Sequence, residues 1–120
     1  CSEIIISLFE ATENFDSGNI LLKSKIIFDG TELYQEIRNK QGNSTINIIK
    51  DFLKLYSNFS RIKQVGNETF YPKRTLADNE LDISNTLKEN FNLLCVGNND
   101  EWPFFFYKGV KYILKNFKVD

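Results

Sequence analysis

The apolar residues of this chain occur in short runs of strand length, separated by turn residues. Residues 4–11 are mainly apolar, residues 20–28 alternate apolar with polar side chains, and residues 102–114 are rich in aromatic side chains. Short runs of this kind, bounded by turn residues, are typical of β-strands. No apolar run reaches the roughly eighteen residues that a membrane-spanning helix needs. The sequence therefore predicts a chain without a membrane span, whose strands supply much of the core.

Two further stretches predict helices. Ser44 or Thr45 can cap a helix that follows Gly42, and apolar residues recur behind this cap at helical spacing: Ile48, Ile49, Phe52, Leu53, Tyr56 and Phe59. Residues 78–90 predict a second helix that begins at Asp78 or Asp82.

Turn residues predict how the strands connect. Asp29 and Gly30 favour a tight hairpin between residues 20–28 and a returning strand at 31–38. The same reasoning predicts a hairpin within residues 64–71, a short buried strand at 93–96, and a terminal hairpin around Gly109. We therefore expect an α+β fold with an antiparallel or mixed sheet of about five to seven strands and two helices packed on one face. A length of 120 residues predicts a single globular domain over residues 1–120.

The chain contains no histidine, the residue that most often performs acid–base chemistry near neutral pH and binds metals. No catalytic or phosphate-binding motif is present, and Cys95 lies in an apolar context typical of a small buried hydrophobic residue. We expect a protein that is not an enzyme and that uses neither a metal nor another cofactor.

The charge balance limits the kinds of partner. Fifteen Lys and Arg face sixteen Asp and Glu, for a net charge of −1. Residues 104–107, together with Lys108, Lys111 and Lys115, resemble a base-stacking surface, but the overall charge argues against a nucleic-acid partner. Core packing is the alternative interpretation of these aromatic residues.

The predicted contact site for a protein partner is Asp100, Glu101 and Trp102, because tryptophan is enriched in binding hot spots and acids steer basic partners. Asp78, Glu80 and Asp82 form a predicted second acidic patch. In the alternative interpretation, Trp102 packs under the sheet edge and the acids belong to solvated turns and a helix start.

Small size, mild acidity and the lack of a catalytic signature are typical of immunity proteins, which bind and neutralise a cognate bacterial toxin. This hypothesis predicts a cytoplasmic protein whose partner is a basic toxin domain. One alternative is an envelope lipoprotein anchored through Cys1. A second is an enzyme that uses carboxylates without histidine, such as Glu10 with Glu13 or Asp16.

Overall fold

The computed structural model describes residues 2–56, 58, 60–98 and 100–119. The chain divides into two compact units. The first comprises Cys1–Gly30 and Arg38–Phe70, and the second comprises Thr31–Ile37 and Tyr71–Asp120. Cys1, on which the lipoprotein alternative depends, and Phe59, the last residue of the predicted helical pattern, lie outside the described residues.

The first unit contains an antiparallel pair of strands, β1 (Glu3–Phe9) and β2 (Ile20–Ile27). Both strands were predicted and are confirmed, and Lys23 and Lys25 lie on the exposed side of β2 as its alternation indicates. The pairing differs from the prediction, because β2 pairs with β1 and not with a strand at 31–38. The first strand is not buried on both faces, since Ile5 is 56% exposed.

A long helix, α1 (Tyr34–Lys54), occupies the region of the predicted returning strand. Leu33 and Ile37 are four residues apart, a spacing that fits a strand and a helix equally well. The Leu33 amide donates to the Glu36 carboxylate over 2.8 Å, a bond typical of a helix start. The predicted hairpin at Asp29 and Gly30 is therefore wrong.

The predicted start of the helix after Gly42 is also wrong. The helix continues through Gly42, and the Thr45 hydroxyl donates back to the Gln41 carbonyl over 2.9 Å in place of capping. A single glycine inside a helix costs only about 1 kcal/mol relative to alanine, which the rest of this long helix can offset.

From Tyr71 onward, the second unit contains a 3₁₀ turn at Leu76–Asn79, followed by α2 (Leu87–Cys95). The helix predicted at 78–90 is wrong in its start, because Thr86 and Glu89 form a reciprocal capping box, with the Glu89 amide 3.2 Å from the Thr86 hydroxyl. Residues 93–96 were predicted as a strand, but residues 93–95 form the end of α2, where Leu94 and Cys95 are both less than a tenth exposed, and Val96 is its C-cap.

The terminal hairpin is confirmed. Strands β3 (Phe104–Tyr107) and β4 (Val110–Ile113) are antiparallel, and Phe105 stacks on its cross-strand partner Tyr112 at 5.4 Å between ring centroids. Lys108 and Gly109 both have positive φ, 50° and 78°, as a two-residue type I′ turn requires.

The predicted sheet of five to seven strands is wrong. The described residues form two helices and two separate two-stranded antiparallel sheets, and residues 64–71 form no strand. None of the helices in this part of the chain is long and apolar enough to span a membrane. The single domain over residues 1–120 stays a prediction.

Candidate functional site

The connection between β1 and β2 is a compact loop whose two ends meet. We call residues 11–18 the Asp16 loop. At its base the Glu10 amide donates to the Asn19 carbonyl over 2.9 Å, and the Asn19 side chain donates to the Glu10 carboxylate over 3.1 Å. Compact surface loops with closely spaced ends frequently carry function.

Short side chains bond to each other inside the Asp16 loop. The Thr12 hydroxyl lies 2.8 Å from the Asn14 carbonyl and 2.8 Å from the Ser17 hydroxyl, which also donates to the Asn14 carbonyl over 3.0 Å. These bonds fold the loop back on itself.

Two positions of the Asp16 loop have special backbone requirements. Asp16 has φ of 53°, a left-handed conformation that costs a side-chain-bearing residue roughly 1 to 2 kcal/mol, although Asp tolerates it better than most. Gly18 is buried, and a Cβ there would lie 1.8 Å from the Glu10 carbonyl oxygen. Among the described residues, no side chain bonds to the Asp16 carboxylate, which is exposed at the loop surface. Backbone conformations of this kind cluster at functional sites.

A distant segment holds the Asp16 loop from outside. Arg61 Nε donates to the Glu10 carboxylate, and this bond, together with the one from Asn19, lowers the pKa of Glu10. Gln64 Nε2 donates to the carbonyls of Asp16 and Gly18 over 2.8 and 2.6 Å. Glu10 is therefore an ion-pair partner of Arg61, and the Asp16 carboxylate remains available to a ligand.

A carboxylate held on a rigid loop can accept a proton or bond to a cationic or N–H group of a substrate. The sequence had suggested Asp16 only as an acid paired with Glu10. The stronger signal is the pattern Asp16-Ser17-Gly18 between two strands, where aspartate tolerates positive φ and glycine permits a close backbone approach.

The second unit contains a cleft of about 360 Å³ that includes part of the predicted contact site. We call it the Trp102 cleft, and its lining includes Tyr34, Cys95, Asp100, Trp102 and Phe117. Trp102 is half-buried, with Lys115 Nζ 5.4 Å from its ring centroid. Burial raises the pKa of the Cys95 thiol, in line with the structural role predicted for it.

The loop before Trp102 is fixed by Asn98. The Asn98 side-chain oxygen accepts from the amides of Asp100 and Glu101 at 2.8 and 2.9 Å. Asp100 lines the Trp102 cleft, whereas Glu101 is exposed and is not part of its lining.

The second acidic patch is placed elsewhere in the same unit. Asp78 accepts from the Thr75 amide over 2.6 Å, and Asp82 accepts from the Ser84 hydroxyl and from its amide, bonds that lower the pKa of Asp82. The exposed Glu80 joins Phe104 through a single parallel bridge. The structure therefore gives Asp78 and Asp82 local roles in their own turns. Partner binding by any of the six predicted residues stays a prediction.

The described residues contain no cluster of three or more Cys, Asp or Glu that could hold a metal ion.

No family model matches the sequence. The chain is 35% identical over 79 residues to a methionyl-tRNA formyltransferase from Pseudothermotoga lettingae. The matched part is 65% of this chain and 26% of the relative, so the chain spans about a quarter of that protein.

Solved structures share the fold. A methionyl-tRNA formyltransferase from Clostridium thermocellum matches with a TM-score of 0.74 and 16% identity, over 99% of this chain and 52% of that one. A HypX variant from Aquifex aeolicus with four substitutions matches with a TM-score of 0.75 and 14% identity, over 96% of this chain and 22% of that one. The chain therefore spans about half of the first structure and about a fifth of the second.

These findings overturn the functional prediction made from the sequence. The sequence relative is a formyltransferase and so is one of the structural neighbours, which makes the immunity-protein hypothesis wrong. The expectation that the chain is not an enzyme is wrong as well, because these proteins are enzymes and the chain corresponds to part of them. Absence of histidine misled the prediction, since it does not by itself exclude an enzyme.

Proposed function

We propose that this chain is part of a formyltransferase that acts on methionyl-tRNA, and that the Asp16 loop belongs to its active site. The observation that carries the proposal is the 35% identity to the Pseudothermotoga lettingae methionyl-tRNA formyltransferase over 79 residues. The shared fold with the Clostridium thermocellum enzyme supports it.

The chemistry of formyl transfer gives the Asp16 carboxylate a role. When an amine attacks a formyl donor, a C–N bond forms, the bond between the formyl carbon and the donor breaks, and the nitrogen loses a proton. A base must accept that proton, and a carboxylate within hydrogen-bond reach of the nitrogen can do so. The Asp16 carboxylate is exposed and accepts from no described side chain, and it lies on a loop whose two ends are hydrogen-bonded to each other.

The local geometry favours Asp16 over Glu10 and Asp51. Glu10 is bonded to Arg61 and Asn19, and a carboxylate with two strong donors is a poorer proton acceptor because its lowered pKa makes it less basic. Asp51 is exposed on α1 and is not part of the Asp16 loop.

The proposal is tested with the intact gene product that contains residues 1–120. The protein is incubated with a formyl donor and methionyl-tRNA, and the formylated product is quantified. The same tRNA charged with a different amino acid is the control substrate. We expect formylation of methionyl-tRNA at a clearly higher kcat/KM than of the control. If methionyl-tRNA is not formylated, or is formylated no better than the control, the proposed substrate is wrong.

A further inference from the structure

The side-chain amide of Gln64 is bonded to two carbonyls of the Asp16 loop. Its nitrogen Nε2 carries two N–H groups, and it lies 2.8 Å from the Asp16 carbonyl oxygen and 2.6 Å from that of Gly18. Both acceptors belong to the two positions of the loop that have special backbone requirements. One side chain therefore bonds on both sides of Ser17.

These bonds connect parts of the chain that are far apart in sequence. Gln64 follows Asp16 by 48 residues and Gly18 by 46. The segment that carries Gln64 is itself fixed to β2, because Ile20 and Ile62 exchange two backbone hydrogen bonds of 2.8 and 2.9 Å. Arg61, in the same segment, bonds to Glu10 at the base of the loop. Two preceding residues thus hold Gln64 near the Asp16 loop: Arg61 bonds to Glu10, directly after the end of β1, and Ile62 bonds to the start of β2.

The left-handed conformation of Asp16 requires compensation from its surroundings. The hydroxyl bonds inside the loop involve Thr12, Asn14 and Ser17, and none of them reaches the backbone of Asp16. The bond from Gln64 does reach it, since it ends on the Asp16 carbonyl. Removing this bond would free the peptide unit after Asp16 to rotate, and the carboxylate would move with it.

We infer that Gln64 is a positioning residue, which holds Asp16 in its left-handed conformation and thereby aims the Asp16 carboxylate. The importance of that aim for catalysis rests on the proposed function, whereas the geometric part of the inference does not. The two parts are therefore measured separately.

The geometric part is tested by NMR on the chain itself. In the wild type, the Gln64 side-chain amide should exchange its hydrogens more slowly than that of Gln41. Gln41 is the matched control, because its side chain accepts from Arg38 through its oxygen and its NH₂ group donates to no described residue. Equal exchange rates for the two side chains would overturn the inference without any variant.

The variants Gln64→Ala and Gln64→Glu extend this test. Glutamate keeps the size of the side chain but lacks N–H donors, so both variants should lose the strong intraresidue amide-to-Hα contact that positive φ gives Asp16. The β1–β2 cross-strand contacts should persist. Retention of the Asp16 amide-to-Hα contact in both variants would contradict the inference. The control variant Gln41→Ala should leave this contact unchanged.

The catalytic part is tested by formylation kinetics in the intact protein. Misplacing a reacting group by about 1 Å can cost about a hundredfold in rate, so Gln64→Ala should lower kcat by about tenfold to a hundredfold and leave KM for methionyl-tRNA nearly unchanged. A normal kcat in a variant whose Asp16 has left its conformation would overturn the positioning role. An inactive wild type would instead remove the proposed function, and the NMR result on Gln64 would still decide the geometric part.

Discussion

Asp16 differs from Asp78 and Asp82 in which of its atoms the rest of the chain bonds to. Asp78 and Asp82 bond to amides and hydroxyls two or three residues away, so their carboxylates stabilise the turns to which they belong. Asp16 shows the reverse arrangement: its backbone is held by Gln64 from far along the chain, and its carboxylate bonds to no described side chain. An acid that serves its own turn is a structural acid, whereas an acid that the fold holds in a costly conformation is available for chemistry.

The largest effect on the Asp16 loop is expected from a substitution that prevents the close approach of Gly18 to the Glu10 backbone. Gly18→Ala places a Cβ 1.8 Å from the Glu10 carbonyl oxygen, a backbone atom that cannot move without disturbing the base of the loop. We expect the free energy of unfolding to fall by about 3 kcal/mol, as for severe overpacking. Urea denaturation of the variant and the wild type measures this difference.

Gly42→Ala is the matched control for that substitution. A Cβ at position 42 would meet no atom within 4 Å, and the residue lies inside α1. Alanine should therefore raise the free energy of unfolding by about 1 kcal/mol through its higher helix propensity. Similar effects of the two substitutions would show that Gly18 is not under the constraint described.

Substitutions of Asp16 and Asp78 should change the free energy of unfolding in opposite directions. Asp16→Gly removes the cost of the left-handed conformation and should raise the free energy of unfolding by up to about 1 kcal/mol while formyl transfer is lost. Asp78→Ala removes the carboxylate that accepts from the Thr75 amide at the start of the 3₁₀ turn. This variant should lower the free energy of unfolding by about 1 kcal/mol while formyl transfer is kept. Denaturation and activity are measured on the same preparations. Loss of stability in Asp16→Gly would contradict the assignment of a strained functional position.

The smallest expected effect concerns pH. The pKa of Glu10 is lowered in the folded chain by hydrogen bonds from Arg61 and Asn19. A lowered pKa contributes stability above the unfolded value, about 4.3, and that contribution is lost as the pH falls through the folded value. Wild-type stability should therefore decline as the pH falls below about 4.3, and Glu10→Gln should reduce the slope of that decline.

Glu13→Gln is the control for the pH measurement. Glu13 lies in the same loop, is exposed, and no described residue bonds to its carboxylate. Its replacement should leave the slope of the stability curve below about pH 4.3 unchanged. If the two variants show the same slope, the Arg61 contact does not act on Glu10 as described.

Elements whose signals lie within a few residues of each other were predicted correctly more often than those that depend on distant contacts. The β3–β4 hairpin was predicted because Gly109 and the aromatic-rich segment around it lie within a few residues of each other. The strand extents of β1 and β2 were predicted for the same reason, but their pairing with each other was not, since Asp29 and Gly30 gave a turn signal that β2 does not use for pairing.

The candidate site was predictable only in part. Asp16-Ser17-Gly18 is visible in the sequence as a turn between strands, but the bonds from Gln64 and Arg61 depend on contacts across more than forty residues. Trp102 and Asp100 were predicted together and the structure places both in the Trp102 cleft. Asp78, Glu80 and Asp82 were predicted as one acidic patch because they lie close together in sequence. In the structure, Asp78 and Asp82 instead bond to backbone amides two or three residues away.

The most direct test of the account is a single-turnover measurement of formyl transfer to methionyl-tRNA by Asp16→Asn in the intact protein. Asparagine tolerates positive φ and keeps the size of the side chain, so the loop should be preserved while the proton acceptor is removed. Asp51→Asn, an exposed acid on α1, is the control. The account predicts that Asp16→Asn slows formyl transfer by at least about a hundredfold and that Asp51→Asn leaves the rate at the wild-type value. An Asp16→Asn variant that transfers formyl groups as fast as the wild type would contradict the assignment of the Asp16 loop to the active site.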